Sequence, residues 1–265
     1  MTERISKIQL SKLQYVMVLL IVFVAGWFAF AFYLYSNQIL LIPIQGEITD
    51  FQAITLALHQ GLVDTNVKAV ILYFNTGGGL AYSCLEIASY VKQVAIVKPV
   101  IAVMGQVCAS GGYYIASFAD HIFTHSNTIT GSIGVIATWV DMSQYYETQG
   151  INITVWTTGP EKDFGANWRS PTPEEYDQIA ASVDSIFQTL LSDIGENRNL
   201  SQENLEVIKT GALFTGLEAL NLGLADEVGD VINAVDEVVN RTGLWRVLLV
   251  SPAMDERQKF LHSLL

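Results

Sequence analysis

Nineteen consecutive residues, 16–34, carry no charge and are interrupted only by Gly26, Trp27 and Tyr33. Wound as a helix, such a run extends about 28 Å, close to the hydrocarbon thickness of a bilayer, so it can span one. It has no polar face, which speaks against a helix packed on a soluble core. Arg4, Lys7 and Lys12 precede the run and no Lys or Arg follows it until Lys68. That bias places the N-terminus in the cytoplasm and the remainder of the chain outside it. A cleaved signal peptide is the competing reading, but its apolar region is normally about 7–15 residues, and Ala29-Phe30-Ala31 is followed here by bulky Phe32 and Tyr33. The expected division is a cytoplasmic N-terminus over 1–12, an anchor over 13–36, one domain over 37–245 and a tail over 246–265.

The chain has 265 residues, 51% of them hydrophobic, enough for one substantial core beyond the anchor. Of 14 Lys and Arg and 26 Asp and Glu, only Arg4, Lys7, Lys12 and Glu3 precede residue 36. The remainder therefore has a formal charge of about −14, which argues against nucleic acid or an anionic membrane surface as a partner. Cys84 and Cys108 are too few for a disulfide framework; two buried free thiols are expected, with a single bridge between them as the alternative. No Cys/His cluster has zinc spacing, and neither a metal nor a cofactor is expected.

Strand-like and helix-like segments alternate through the domain. Strands are expected at 39–48, 67–74, 99–104, 121–124, 133–138 and 151–156. Helices are expected at 51–61, with Asp50 as N-cap, and at 82–96, 111–118, 172–197, 202–209, 214–221 and 231–241. The helix from Thr172 opens on the capping-box pattern Thr172-Pro173-Glu174-Glu175. This order suggests βαβ units and a mainly parallel sheet, with function at the carboxyl ends of its strands.

Two small-residue segments fall at such ends: Asn75-Thr76-Gly77-Gly78-Gly79, and Cys108-Ala109-Ser110-Gly111-Gly112-Tyr113-Tyr114. A hydroxyl at Ser110 would stand on a sharp turn beside bare backbone N–H groups, the Gly111 N–H among them, that can stabilise an oxyanion. Read blandly, Ser110 caps the following helix and the glycines form a plain strand-to-helix turn. A serine nucleophile also needs a base. Of the histidines, His59 falls in the first helix of the domain, His262 in the tail, and His121 and His125 flank a short strand. Lys162, on a polar loop, reads by default as a solvated charge.

Together with Gly131-Ser132-Ile133-Gly134-Val135 and Gly159-Pro160-Glu161-Lys162-Asp163, the two segments resemble the signal peptide peptidase A family of membrane-bound serine proteases with a Ser/Lys dyad. The resemblance runs from about Ile39 to Gly229. It implies an α/β crotonase/ClpP-like fold behind one transmembrane helix, with Ser110 as nucleophile and Lys162 as general base. Ser132 matches the serine that hydrogen-bonds the base, and Gly79 matches an oxyanion donor that works with Gly111. Remnant signal peptides are the implied substrates. The family also implies a homo-oligomer in which serine and lysine can arrive from neighbouring subunits. Where ClpP-like proteases carry a catalytic histidine, this chain has Val135. A catalytic Lys162 must be neutral, so Glu161 and Asp163 are expected to turn away from it. Two positions depart from the family pattern: Gly77 replaces a common proline, and the segment from Gly211 to Gly216 lacks an arginine often found after its first glycine. The reading from a different class is a membrane-bound scaffold of the same fold without turnover.

Overall fold

The computed structural model describes residues 11–251. Arg4, Lys7, His262 and most of the expected tail lie outside the described residues. The elements in chain order are α1 (Lys12–Tyr35), β1 (Gln38–Gln45), α2 (Gln52–Val63), β2 (Val67–Thr76), α3 (Ala81–Ala95), β3 (Val100–Ala109), α4 (Gly111–Ala116), β4 (His121–Thr124), β5 (Ile129–Gly131), α5 (Ser143–Thr148), α6 (Pro173–Asn197), α7 (Gln202–Ile208), β6 (Leu213–Thr215), α8 (Gly216–Asn221), β7 (Glu227–Val228), α9 (Val231–Thr242) and β8 (Leu248–Val250).

At its 24 residues α1 is about 36 Å long, and none of its residues is buried by the rest of the chain. It is long and apolar enough to cross a membrane. Where it meets the domain, Phe30 and Tyr33 pack on Trp245 at ring-centroid distances of 5.8 and 5.3 Å.

The sheet runs β6-β5-β3-β2-β1-β8, with β4 also on β3 and β7 on β4. All pairings are parallel except β5 with β6. Parallel strands need both faces covered, and their sequences show it. From β2, Val70, Leu72 and Phe74 face α3 through Cys84, Ile87, Val91 and Val94, whereas Ala69 and Ile71 face α9 through Ala234 and Val238. The α/β reading and the central strands therefore stand as expected.

Strand β3 positions the site because it serves two partners in turn. Ile101–Met104 pairs with β4, and Val107, Cys108 and Ala109 pair with β5. The division falls at Gly105, where a Cβ would come within 2.7 Å of the Phe74 carbonyl oxygen; only glycine lets the strands approach so closely there. Beyond it the last residues of β3 carry Ser110 away from β4 and towards β5.

Several expectations need correction. Residues 133–138 and 151–156 form no strands. They have β-branched composition, but a strand requires a ladder partner and the chain offers none there: Ile136 is 92% exposed and Trp156 87%. Residues 132–172 instead form a largely exposed arm whose only helix is α5. The helix expected from 214 begins as β6, which pairs antiparallel with β5 before Thr215 caps α8. Asp50 is not the N-cap of α2; that position is Phe51, and the Asp50 carboxylate accepts the Gln52 N–H at 3.0 Å. The capping box at Thr172 and Glu175 is present. The boundary expected at 245/246 falls just before β8, which extends the sheet beyond β1.

Candidate active site

Ser110 stands between β3 and α4 with φ 52° and ψ −126°. An L-residue there is strained by about 1–3 kcal/mol, and such strain persists only where surrounding structure dictates it. Here its N–H donates to the Gly131 carbonyl at 2.8 Å and its own carbonyl accepts the Tyr114 N–H at 3.0 Å. Ser110 holds the N-cap position, yet its hydroxyl makes no capping hydrogen bond.

The glycine loop packs directly on this turn. Gly78 has φ 102°, and a Cβ on it would lie 2.8 Å from Ser110 Cβ. The loop is held by Thr76, whose hydroxyl accepts the Gly78 N–H at 3.0 Å and donates to the Gly46 carbonyl. Gly79 bridges Ile48 in parallel fashion: the Ile48 N–H donates to Gly78 and the Leu80 N–H donates to Ile48, each at 2.9 Å. That pattern uses the groups on either side of Gly79 and turns its own N–H the other way. Among the described residues neither the Gly79 nor the Gly111 N–H donates a hydrogen bond, and the Gly79 nitrogen lies 3.7 Å from where a Gly111 Cβ would sit. Two unused donors thus lie close to one another beside the serine.

Substitution should be felt sharply here. A Cβ on Gly79 would lie 2.2 Å from the Ile48 carbonyl oxygen, so the loop must move to accept it, whereas a Cβ on Gly77 meets nothing within 4 Å. Gly79→Ala is expected to lower turnover about 10²–10³-fold, as loss of one oxyanion donor does. Gly77→Ala should cost far less. Initial rates and melting temperatures of the two variants check this.

Ser132 also has positive φ, 49°, and its N–H donates to the Ala212 carbonyl at 2.7 Å. Ser110, Gly79, Gly111 and Ser132 line one cleft of about 1150 Å³. Leu80, Leu85, Tyr114, Ile133 and Phe187 give it apolar walls, and Glu47, Asp184 and Lys209 add charge. Cys84 lies underneath: a Cβ on Gly111 would be 2.3 Å from its sulfur. Both cysteines are free and buried, and burial pushes the Cys84 thiol up to about 11 and raises Cys108 as well, which disfavours their thiolates.

Lys162 sits on the arm, in a turn closed by its N–H donating to the Gly159 carbonyl at 3.2 Å. Its side chain is exposed and is not part of the cleft lining within the single chain. The Asp163 carboxylate is turned onto the Arg169 guanidinium. Sequence reasoning passed over Lys209, a cleft residue at the end of α7 whose amine is engaged by Glu206; its i,i+3 spacing from Glu206 was the available signal for a paired rather than a free lysine. His121 faces Glu227 at 3.9 Å and the His125 Nδ1 accepts the Asn127 N–H at 3.3 Å; neither lines the cleft. Among the described residues no cluster of His, Cys, Asp and Glu could hold a metal ion.

Comparisons bear on what such a cleft does. The model of peptidase family S49 matches residues 92–244. Protease 4 of Haemophilus influenzae is 32% identical over 226 residues, 77% of this chain and 35% of that protein. The chloroplastic serine protease SPPA of Arabidopsis thaliana is 33% identical over 169 residues, 63% of this chain and 25% of that one. The chain spans less than two thirds of the length of the curated relatives it matches. A mutant of the 1510-N membrane-bound stomatin-specific protease, solved with a substrate peptide, superposes with a TM-score of 0.54 at 20% identity, covering 86% of this chain and 98% of that one. At that identity the superposition speaks for the fold.

Proposed function

This chain belongs to peptidase family S49, the family of signal peptide peptidase A, and on that premise we propose that it is a membrane-anchored serine endopeptidase working through Ser110 and Lys162. Residues 13–36 hold it in the membrane with the N-terminus in the cytoplasm, and residues 37–245 form the protease domain on the other side. The observation that carries the reading is the strained Ser110 in a cleft with two unused N–H donors, from Gly79 and Gly111.

In this mechanism neutral Lys162 accepts the Ser110 proton as Oγ attacks a peptide carbonyl, and the oxyanion forms against the two N–H groups. The ammonium then protonates the departing amine, leaving an acyl-enzyme. Water, deprotonated by Lys162, attacks the ester; collapse returns the proton to Ser110 and releases the carboxylate product. Ser132 accepts or donates a hydrogen bond at the amine and orients it.

To act near pH 7 a lysine must be favoured in its neutral form by about 4–5 kcal/mol relative to water, which takes removal from solvent. Lys162 is exposed in the single chain, so its burial has to come from a neighbour. The arm that bears it also exposes Ile136, Val155 and Trp156, apolar surface that a neighbouring copy would cover. We therefore assign the base to the cleft of an adjacent subunit in a homo-oligomer. The apolar cleft walls suit small or apolar residues of membrane-derived peptides, remnant signal peptides among them.

The test is hydrolysis of fluorogenic peptides by the detergent-solubilised full chain. Peptides with an apolar residue before the scissile bond are expected to be cleaved, and those with an acidic residue there are not. Cleavage that survives either Ser110→Ala or Lys162→Ala would contradict the mechanism; no cleavage of any peptide by a folded oligomer would favour a scaffold.

A further inference from the structure

Arg169 lies outside the cleft, yet all of its guanidinium nitrogens are engaged. Nε donates to Asp163 Oδ2 at 3.0 Å and Nη2 to Asp163 Oδ1 at 2.9 Å. Nη1 donates to Glu175 Oε2 at 2.6 Å and to the Ser170 carbonyl at 3.1 Å, and Nη2 also donates to Glu175 Oε1 at 2.7 Å. Both carboxylates are thus held in two-point fashion by one planar fork, the arrangement arginine alone provides. The Glu175 carboxylate also accepts the Thr172 N–H at the start of α6, at 2.8 Å. Trp139 lies against the guanidinium at 5.8 Å, packs edge-on to Phe164 and donates its indole N–H to the Arg169 carbonyl at 3.1 Å. One residue therefore ties the loop after Lys162 to the first turn of α6.

We propose that Arg169 is a positioning residue for the general base: it fixes the Lys162 loop against α6 and withdraws the adjacent Asp163 carboxylate from the Lys162 amine. This rests on Lys162 being the base. The charged groups around the loop are Glu161 and Asp163 on the loop itself, Asp141 on the segment packed against it, Arg169, and Glu174 and Glu175 on the first turn of α6; the cleft that receives the amine adds Glu47, Asp184 and Lys209, which Arg169→Gln leaves unchanged. Asp141 is occupied by the Ser143 N–H and the Ser170 hydroxyl. Released from Arg169, the Asp163 carboxylate, one residue from the lysine, would favour the ammonium and oppose catalysis.

The hydrogen bonds from Arg169 hold the Asp163 and Glu175 carboxyls below their usual range. A carboxyl lowered in the folded state stabilises it above the ordinary carboxylate range, and that contribution is lost as pH falls through the lowered value. The clamp is therefore intact throughout the neutral and alkaline range in which a lysine base works.

The experiment is the pH profile of kcat for peptide hydrolysis by the solubilised full chain. Arg169→Gln is expected to move the acid limb up by about one pH unit, giving roughly fivefold lower kcat at pH 7 that recovers at alkaline pH. Adding Asp163→Asn in the Arg169→Gln background is expected to return the limb to its wild-type position. Should Arg169→Gln not fold, Arg169→Lys, which keeps a cation without the fork, is expected to give a smaller shift in the same direction. An acid limb that stays in place, or a shift that Asp163→Asn does not reverse, overturns the inference. Lys162→Ala separates this from failure of the dyad itself: hydrolysis that persists there overturns both, and hydrolysis lost there with an unshifted Arg169→Gln limb overturns only the role of Arg169.

Discussion

Ser110→Ala is expected to lower peptide turnover about 10⁴–10⁶-fold, as removal of a covalent nucleophile does when the oxyanion donors remain. The fold should survive. Ser110 lies in a turn fixed by backbone contacts to Gly131 and Tyr114, and its hydroxyl makes no hydrogen bond with the helix that follows; alanine therefore removes the reacting atom and little else. Ser110→Gly sharpens the point. Glycine adopts φ 52° without the clash a Cβ causes, so this variant should be as inactive as the alanine one but more stable, by about 1 kcal/mol. For a domain of this size that raises the melting temperature by about 2–4 °C. A nucleophile held in strain gives opposite signs for activity and stability, whereas a serine serving only as a helix cap would lose stability in both variants.

Lys162→Ala is expected to be as damaging as the serine substitution, because the two groups act as a unit and losing either costs nearly as much as losing both. Its distinctive consequence appears on mixing. If the lysine of one subunit serves the cleft of the next, Ser110→Ala and Lys162→Ala chains, each inactive alone, recover activity when co-expressed. Random assortment in a head-to-tail ring leaves about a quarter of the sites with both groups intact. A dyad formed within one chain would give no recovery. The exposed position of Lys162 and the uncovered apolar arm favour recovery.

Much of the fold is legible in the sequence because the central strands are buried on both faces. Ala69 to Phe74 reads as a continuous apolar run, and Thr172 with Glu175 announces α6 by its capping chemistry. The arm misleads for the same reason that the strands succeed. Ile151, Ile153 and Val155 have the composition of a strand, but composition does not say whether a partner exists, and within one chain it does not. The short edge strands β6 and β8 carry too few residues to declare a period. At the site, Ser110 and the glycines are legible since close backbone approach restricts the residue types that fit. The Arg169 cluster is not, because Asp163, Arg169 and Glu175 are six residues apart in each step, a spacing that brings side chains into contact in neither a helix nor a strand and acquires meaning only when the loop folds onto α6.

An activated serine that depends on Lys162 is tested most directly by labelling the solubilised protein with a fluorophosphonate probe, which reacts with nucleophilic serines irrespective of peptide preference. Wild-type protein is expected to be labelled, Ser110→Ala and Lys162→Ala are not, and Lys209→Ala, which alters the cleft lysine engaged by Glu206, is expected to label like the wild type. Labelling that persists in Lys162→Ala and disappears in Lys209→Ala would contradict the assignment of the base and move it to the lysine already in the cleft.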